Sequence, residues 1–191
     1  YYSDMDNSIL EAVKVLKEGG LVLYPTDTIW GIGCDATNEK AVAKVYALKK
    51  REDSKALVML AADLDMVARY IQEIPQMAIQ LVEVNDAPMT IIYPGAIGLA
   101  PNAIAEDGSV GIRIPLEGSC IDLVKRFGRL LVSTSANISG EPSPKNFDEI
   151  PQCIKDGVDY IVNPELAQES SGKASQIIKV GLDSEIKIIR A

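Results

Sequence analysis

Four groups of side chains in this sequence are of a type that can hold an anion. Thr26 and Thr28, on either side of Asp27, follow the apolar run Leu21-Val22-Leu23-Tyr24, and the cations Lys49, Lys50, Arg51 and Lys55 come one helix later. A third run, Ser133-Thr134-Ser135-Ala136-Asn137, follows Leu130-Leu131-Val132, and Arg113 ends the alternating stretch from Val110. Crevices outside strand ends are where open α/β sheets bind ligands. Small hydroxyls supply hydrogen bonds to phosphate, ribose or carboxylate oxygens, and cations neutralise phosphates. The same residues have a structural reading. Lys and Arg in the last turn complement a helix macrodipole, and Pro-Thr-Asp-Thr and Ser-Thr-Ser-Ala-Asn are ordinary turn sequences. Spacing alone leaves both open.

Composition narrows the chemistry. The 191 residues contain no histidine. Ser-His-Asp and Cys-His machinery and His-ligated metal sites are therefore excluded. Cys34, Cys120 and Cys153 are far apart, with no CxxC pair, so neither a zinc knuckle nor a disulfide framework is expected. What remains is Lys, Arg, carboxylates, hydroxyls and backbone groups, a set suited to electrostatic catalysis on phosphates. Any metal, Mg2+ first among them, is expected to arrive on those phosphates, with no protein metal site. A net charge of −8 argues against a broad nucleic-acid surface. A local basic patch on an acidic protein suits a small anionic ligand better.

Elements that position these groups can be read from period and punctuation. Asp6 or Ser8 is a candidate cap for a helix carrying Ile9, Leu10, Val13 and Leu16, stopped by Gly19-Gly20. Asn38 caps a second helix, Asp63 a third through Ile71, Pro75 opens a fourth, and Ser119 caps one that stops at Gly128. Strands are expected at 21–24, 56–60, 89–93, 110–115, 130–132 and near 160–162, 175–180 and 185–189, with Gly31 and Gly33 allowing a tight turn or a close approach to a ligand. About eight strands among helices predict one α/β domain over residues 1–191, a twisted open mixed sheet with flanking helices and a concave ligand-binding face. No segment approaches the ~20 apolar residues of a membrane span and the N-terminal residues lack a signal-peptide layout, so the expected location is cytoplasmic.

The pieces YPTDTIWGIGCD (24–35), Lys49-x-Arg51, SVGIRIP (109–115), STSANISGEPSP (133–144) and KASQII (173–178) occur in one order. In that order the chain resembles the threonylcarbamoyl-AMP synthase family, whose domain is called YrdC-like. The resemblance implies that L-threonine, bicarbonate and ATP give threonylcarbamoyl-AMP and pyrophosphate. It also implies downstream threonylcarbamoyl-transferase proteins that modify adenosine in tRNA, and weak tRNA binding at most. By position it assigns Arg51, Lys55, Ser109, Ser135, Ser143 and Arg190 to ATP, and Thr28, Arg113, Ser133 and Ser175 to threonine. Asn137 is expected to face the nucleotide beside Ser135, and Lys49 and Arg51 to stabilise the phosphates as pyrophosphate leaves. Three departures stand out: Glu52 after Arg51, Ala56-Leu57 after Lys55, and Asn85 to Thr90 in place of a Pro-Gly-Pro-x-Thr segment. Leu60 stands where some relatives have histidine, and is expected to wall the threonine methyl. Two other readings compete, a paralogue with the fold and a different acceptor, and an RNA-binding module. The retained motifs oppose the first, and net charge with only two Phe and one Trp opposes the second.

Overall fold

Short buried strands and amphipathic helices assemble into two mixed sheets with helices packed around them. The computed structural model describes residues 4–50, 57–167 and 173–191. A smaller sheet has the order β7-β2-β1-β8, from β1 (Val22–Tyr24), β2 (Gly31–Gly33), β7 (Thr134–Ser135) and β8 (Tyr160–Ile161). A larger sheet runs β10-β9-β4-β5-β3-β6, from β3 (Val58–Leu60), β4 (Met89–Tyr93), β5 (Val110–Arg113), β6 (Leu131–Val132), β9 (Gln176–Val180) and β10 (Ile186–Arg190). The α/β class, the mixed sheets and the flanking helices are as expected. The strands divide into two sheets, and the cleft lies where they meet.

One stretch of chain joins them. Leu131 and Val132 pair with β3 in the larger sheet, while Thr134 and Ser135 pair with β2 in the smaller. Val132 N–H donates to Cys34 O at 2.9 Å and Ser133 N–H to Val58 O at 2.8 Å, so Ser133 sits at the crossing. Strands β2 and β7 were not foreseen, because Gly-Ile-Gly and Thr-Ser carry little strand signal of their own. The Gly31–Gly33 segment is a strand and not a turn, packed onto the Tyr24 ring.

Among the helices, α2 (Glu39–Lys49) is capped as expected, Asn38 Oδ1 accepting from Ala41 N–H at 3.1 Å. Its other end closes on Lys50 in the left-handed region, φ 54°. Asp63 caps α3, which is shorter than expected at Leu64–Ala68, and α4 spans Gln76–Val84 with Pro75 at its N-cap. Helix α1 (Asp4–Lys17) begins ahead of both candidate caps. Ser8 lies inside it and instead accepts from Asn163 N–H at 2.8 Å, tying α1 to the turn after β8. Helix α5 is Ser119–Phe127, with Gly118 rather than Ser119 at its N-cap, and α6 (Gln152–Gly157) was not anticipated. The core gathers Tyr24, Tyr93, Met59, Ile91, Ile112 and Leu123, all almost fully covered.

A Cβ at Gly33 would lie 2.5 Å from Tyr24 Cε1 and 3.0 Å from Val132 O. Neither the buried ring nor the ladder carbonyl can retreat, so Gly33→Ala is expected to cost about 1–3 kcal/mol, measured by urea denaturation. A neutral result would mean that β2 is not held against Tyr24.

Candidate functional site

The seam between the sheets encloses a cavity of about 390 Å³. Its polar wall begins with the turn after β1. Thr26 Oγ1 donates to Ile29 O at 2.6 Å and accepts from Thr28 N–H at 3.1 Å. This self-bonded turn fixes both threonines and points Asp27 across to the larger sheet. There Arg113, at the end of β5, donates from Nη1 to Asp27 Oδ1 at 2.5 Å and from Nη2 to Thr28 Oγ1 at 3.3 Å. Both side chains of the ion pair are at most 4% exposed. Asp27 Oδ2 also accepts Leu116 N–H at 3.3 Å. A planar guanidinium held on one side in this way keeps further N–H donors for a carboxylate.

On the neighbouring strands, Thr90 and Ser175 share a hydroxyl hydrogen bond of 2.7 Å. Arg190 reaches the cavity through an irregularity. Successive residues of a strand point to opposite faces, yet Ile189 and Arg190 both line the cavity. The register shift between Ile188 and Arg190 accounts for this, since a bulge re-aims side chains. Arg190 Nε donates to Ser175 O at 2.8 Å, and partial burial lowers the guanidinium from its ordinary value while leaving it cationic.

Trp30 closes one side. It is 3% exposed, lines the cavity and packs at 5.0 Å on Phe147, whose ring carries Lys155 Nζ at 4.2 Å from its centroid. Cys34 and Cys120 are buried, and burial pushes both thiols up, Cys120 to about 11. Neither is a thiolate nucleophile near neutrality. Among the described residues no cluster of three or more His, Cys, Asp or Glu forms a metal site, and no helix is long and apolar enough to cross a membrane.

The family model for Sua5, YciO and YrdC, with the description Telomere recombination, matches residues 14–191. The chain belongs to the Sua5/YciO/YrdC family. It is 31% identical to the threonylcarbamoyl-AMP synthase of Hahella chejuensis, over 88% of this chain and 91% of that protein. It is 36% identical to a putative threonylcarbamoyl-AMP synthase of Methanocaldococcus jannaschii, over 92% and 81%. Among solved structures, P. abyssi Sua5 complexed with L-threonine superposes with a TM-score of 0.80 at 26% identity over 90% of this chain. The chain spans about half the length of that Sua5 chain.

Of the residues expected at a Sua5/YciO/YrdC site, Thr28, Ser109, Arg113, Ser133, Ser135, Ser143, Ser175 and Arg190 line the one cavity. Arg51 and Lys55 lie outside the described residues. Leu60 is fully buried and is not among the cavity's lining residues. It pairs with Arg113 and Leu131 on adjacent strands, and Val58, two residues earlier in β3, lines the cavity instead. Lys49 and Asn137 also stand behind the wall, 2% and 6% exposed. Lys49 Nζ donates to Ser135 O, and to Ser135 Oγ and Asn137 Oδ1 at 3.3 Å each. Asn137 Nδ2 donates onward to Glu141 O at 2.7 Å, and Ser139 N–H to Lys49 O at 2.8 Å. Trp30 and Thr90 were missed, and Asp27, named only as a polar group beside the threonines, was not foreseen as the partner of Arg113. Trp30 lies inside the quoted motif without being singled out, and Thr90 shows its role only once β4 pairs with β9.

Lys49 thus anchors the Ser135 to Asn137 loop from below. Lys49→Met would strand buried oxygen acceptors, and is expected to cost about 1–3 kcal/mol of stability. Lys50→Met, exposed at the helix cap, should unfold like wild type. Equal denaturation midpoints for the two variants would remove the anchoring role.

Proposed function

We propose that this chain is an L-threonylcarbamoyladenylate synthase, joining L-threonine, bicarbonate and ATP into threonylcarbamoyl-AMP with release of pyrophosphate and water. One observation carries the reading. Arg113, with Asp27 and Thr28 fixing its guanidinium, shares a single 390 Å³ cavity with a second cation, Arg190, and a row of serine hydroxyls. An amino acid and a nucleotide each need an anion seat there, and the two must touch. Family membership and the names of the relatives support the same reaction.

In this reading Arg113 forks the threonine carboxylate while Thr28, Ser133 and Ser175 orient the rest of the amino acid. The threonine nitrogen takes up the carboxyl carbon of bicarbonate, losing water, to give a carbamate. A carbamate oxygen then attacks the α-phosphorus and pyrophosphate departs. Ser135, Ser143 and Arg190 hold the nucleotide, with Mg2+ entering on its phosphates. Arg51 is the cation assigned to the departing pyrophosphate and Lys55 one assigned to ATP, while Lys49, expected beside Arg51, acts instead through the Ser135 loop as a positioning residue. Trp30 walls the cleft, and Leu60, beside Arg113 on the adjacent strand, contributes core packing. The product serves threonylcarbamoyl-transferase proteins acting on tRNA in the cytoplasm, with tRNA contact by this chain weak.

Pyrophosphate release is the test. It is expected to fall to background when ATP, threonine, bicarbonate or Mg2+ is omitted singly. Turnover that persists without threonine would overturn the assignment.

A further inference from the structure

On the cavity rim, the polar cluster that holds Ser109 has a defined hydrogen polarity. Asp107 Oδ1 accepts both Ser109 N–H at 3.0 Å and Ser109 Oγ–H at 2.5 Å, while its Oδ2 takes Lys179 Nζ at 2.7 Å. The Lys179 ammonium and the Ser109 donors hold this carboxyl well below the usual carboxylate range, so it is ionised in any physiological buffer. An ionised carboxylate has no hydrogen to give, and a hydroxyl has only one. Ser109 therefore directs its hydrogen away from the cavity that it lines and turns lone pairs toward it.

The surroundings of Ser109 suit a flat ring. Two residues on, in β5, Gly111 adds no side chain to the floor, which is flanked by Val58 and Ile92 on the neighbouring strands, with Thr90 close by and Ala105 also in the lining. Arg113 stands at the far end, about 13 Å from Ser109 by strand rise. A nucleobase over Gly111 would present its edge to Ser109, at a distance from the carboxylate seat that an adenylate can bridge.

We infer that Asp107 is a positioning residue that locks Ser109 as a hydrogen-bond acceptor, so that the site selects a purine bearing an exocyclic amine over its 6-oxo counterpart. This rests on the proposed nucleotide chemistry and adds the base it reads. A 6-oxo purine offers an acceptor where adenine offers a donor, and two acceptors face to face lose the bond. The expected preference for ATP over inosine triphosphate in wild type is about tenfold, the equivalent of one hydrogen bond.

The test is calorimetric binding of Mg-ATP and Mg-ITP to the intact protein, beside threonine-dependent pyrophosphate release. Asp107→Leu frees the Ser109 hydroxyl to rotate, so the ATP-to-ITP affinity ratio should fall toward one through a gain for ITP, with threonine KM unmoved. Asp107→Asn keeps an acceptor oxygen, because Ser109 N–H still requires one, and should retain the preference. A general structural defect would weaken both nucleotides together and leave their ratio alone. Ser109→Ala deletes the acceptor itself and must also collapse the ratio, which keeps the test decisive if Asp107→Leu is unstable. A wild-type ratio near one, or a ratio unchanged in the variants, overturns the assignment. Preferential ATP binding that falls away in these variants, in a protein that releases no pyrophosphate, upholds it and overturns the proposed reaction instead.

Discussion

The buried ion pair between Asp27 and Arg113 is the contact on which the site depends. Asp27 belongs to the turn leaving the smaller sheet and Arg113 to the end of a strand in the larger one, so the pair spans the seam that the cavity occupies. Taking two charges out of water costs several kcal/mol per ion, and mutual attraction repays that only with good geometry and further hydrogen bonds. Those further bonds are present, from Leu116 N–H to Asp27 and from Arg113 to Thr28. Such a pair is a poor way to gain stability and an effective way to fix one orientation of a guanidinium. The orientation matters to the proposed reaction, in which the threonine carboxylate would meet the remaining edge of the fork.

A second buried cation supports the opposite wall. Lys49 lies under the Ser135 to Asn137 loop, whose strand β7 pairs over only two residues with β2. So short a pairing is marginal alone, and the ammonium beneath it supplies the bonds that a longer ladder would have. The two walls are therefore set by charge on either side of Ser133. The chain as a whole carries a net charge of −8. An acidic protein around a cationic cleft disfavours extended polyanions and leaves the cleft to small ones.

How much of this was legible in the sequence depended on whether the determinant was local. Asn38 and Asp63 were readable as caps because capping is decided within three residues. Thr28, Arg113 and the Ser133 and Ser135 pair were readable as strand-end donors, and the family resemblance singled out Ser109, Ser143, Ser175 and Arg190. Strands β2 and β7 were hidden, since Thr-Ser becomes a strand only through β2 a hundred residues away, and Gly-Ile-Gly, though it also pairs with the nearby β1, carries little strand signal of its own. Lys49 looked like any last-turn cation, because nothing local distinguishes an ammonium that is buried from one that is solvated. The bulge that brings Arg190 into the cavity has no residue signature at Ile188-Ile189 either.

The most direct measurement is threonine binding by calorimetry to Arg113→Lys. Lysine keeps a cation beside Asp27, so the buried pair is retained and the variant should fold with a melting temperature near that of wild type. Its single ammonium cannot satisfy Asp27 and also fork a carboxylate, and threonine affinity should fall at least about thirtyfold, the lower bound for losing one partner of a buried charged contact. Unchanged threonine affinity in a folded Arg113→Lys protein would contradict the claim that this fixed guanidinium is the carboxylate seat.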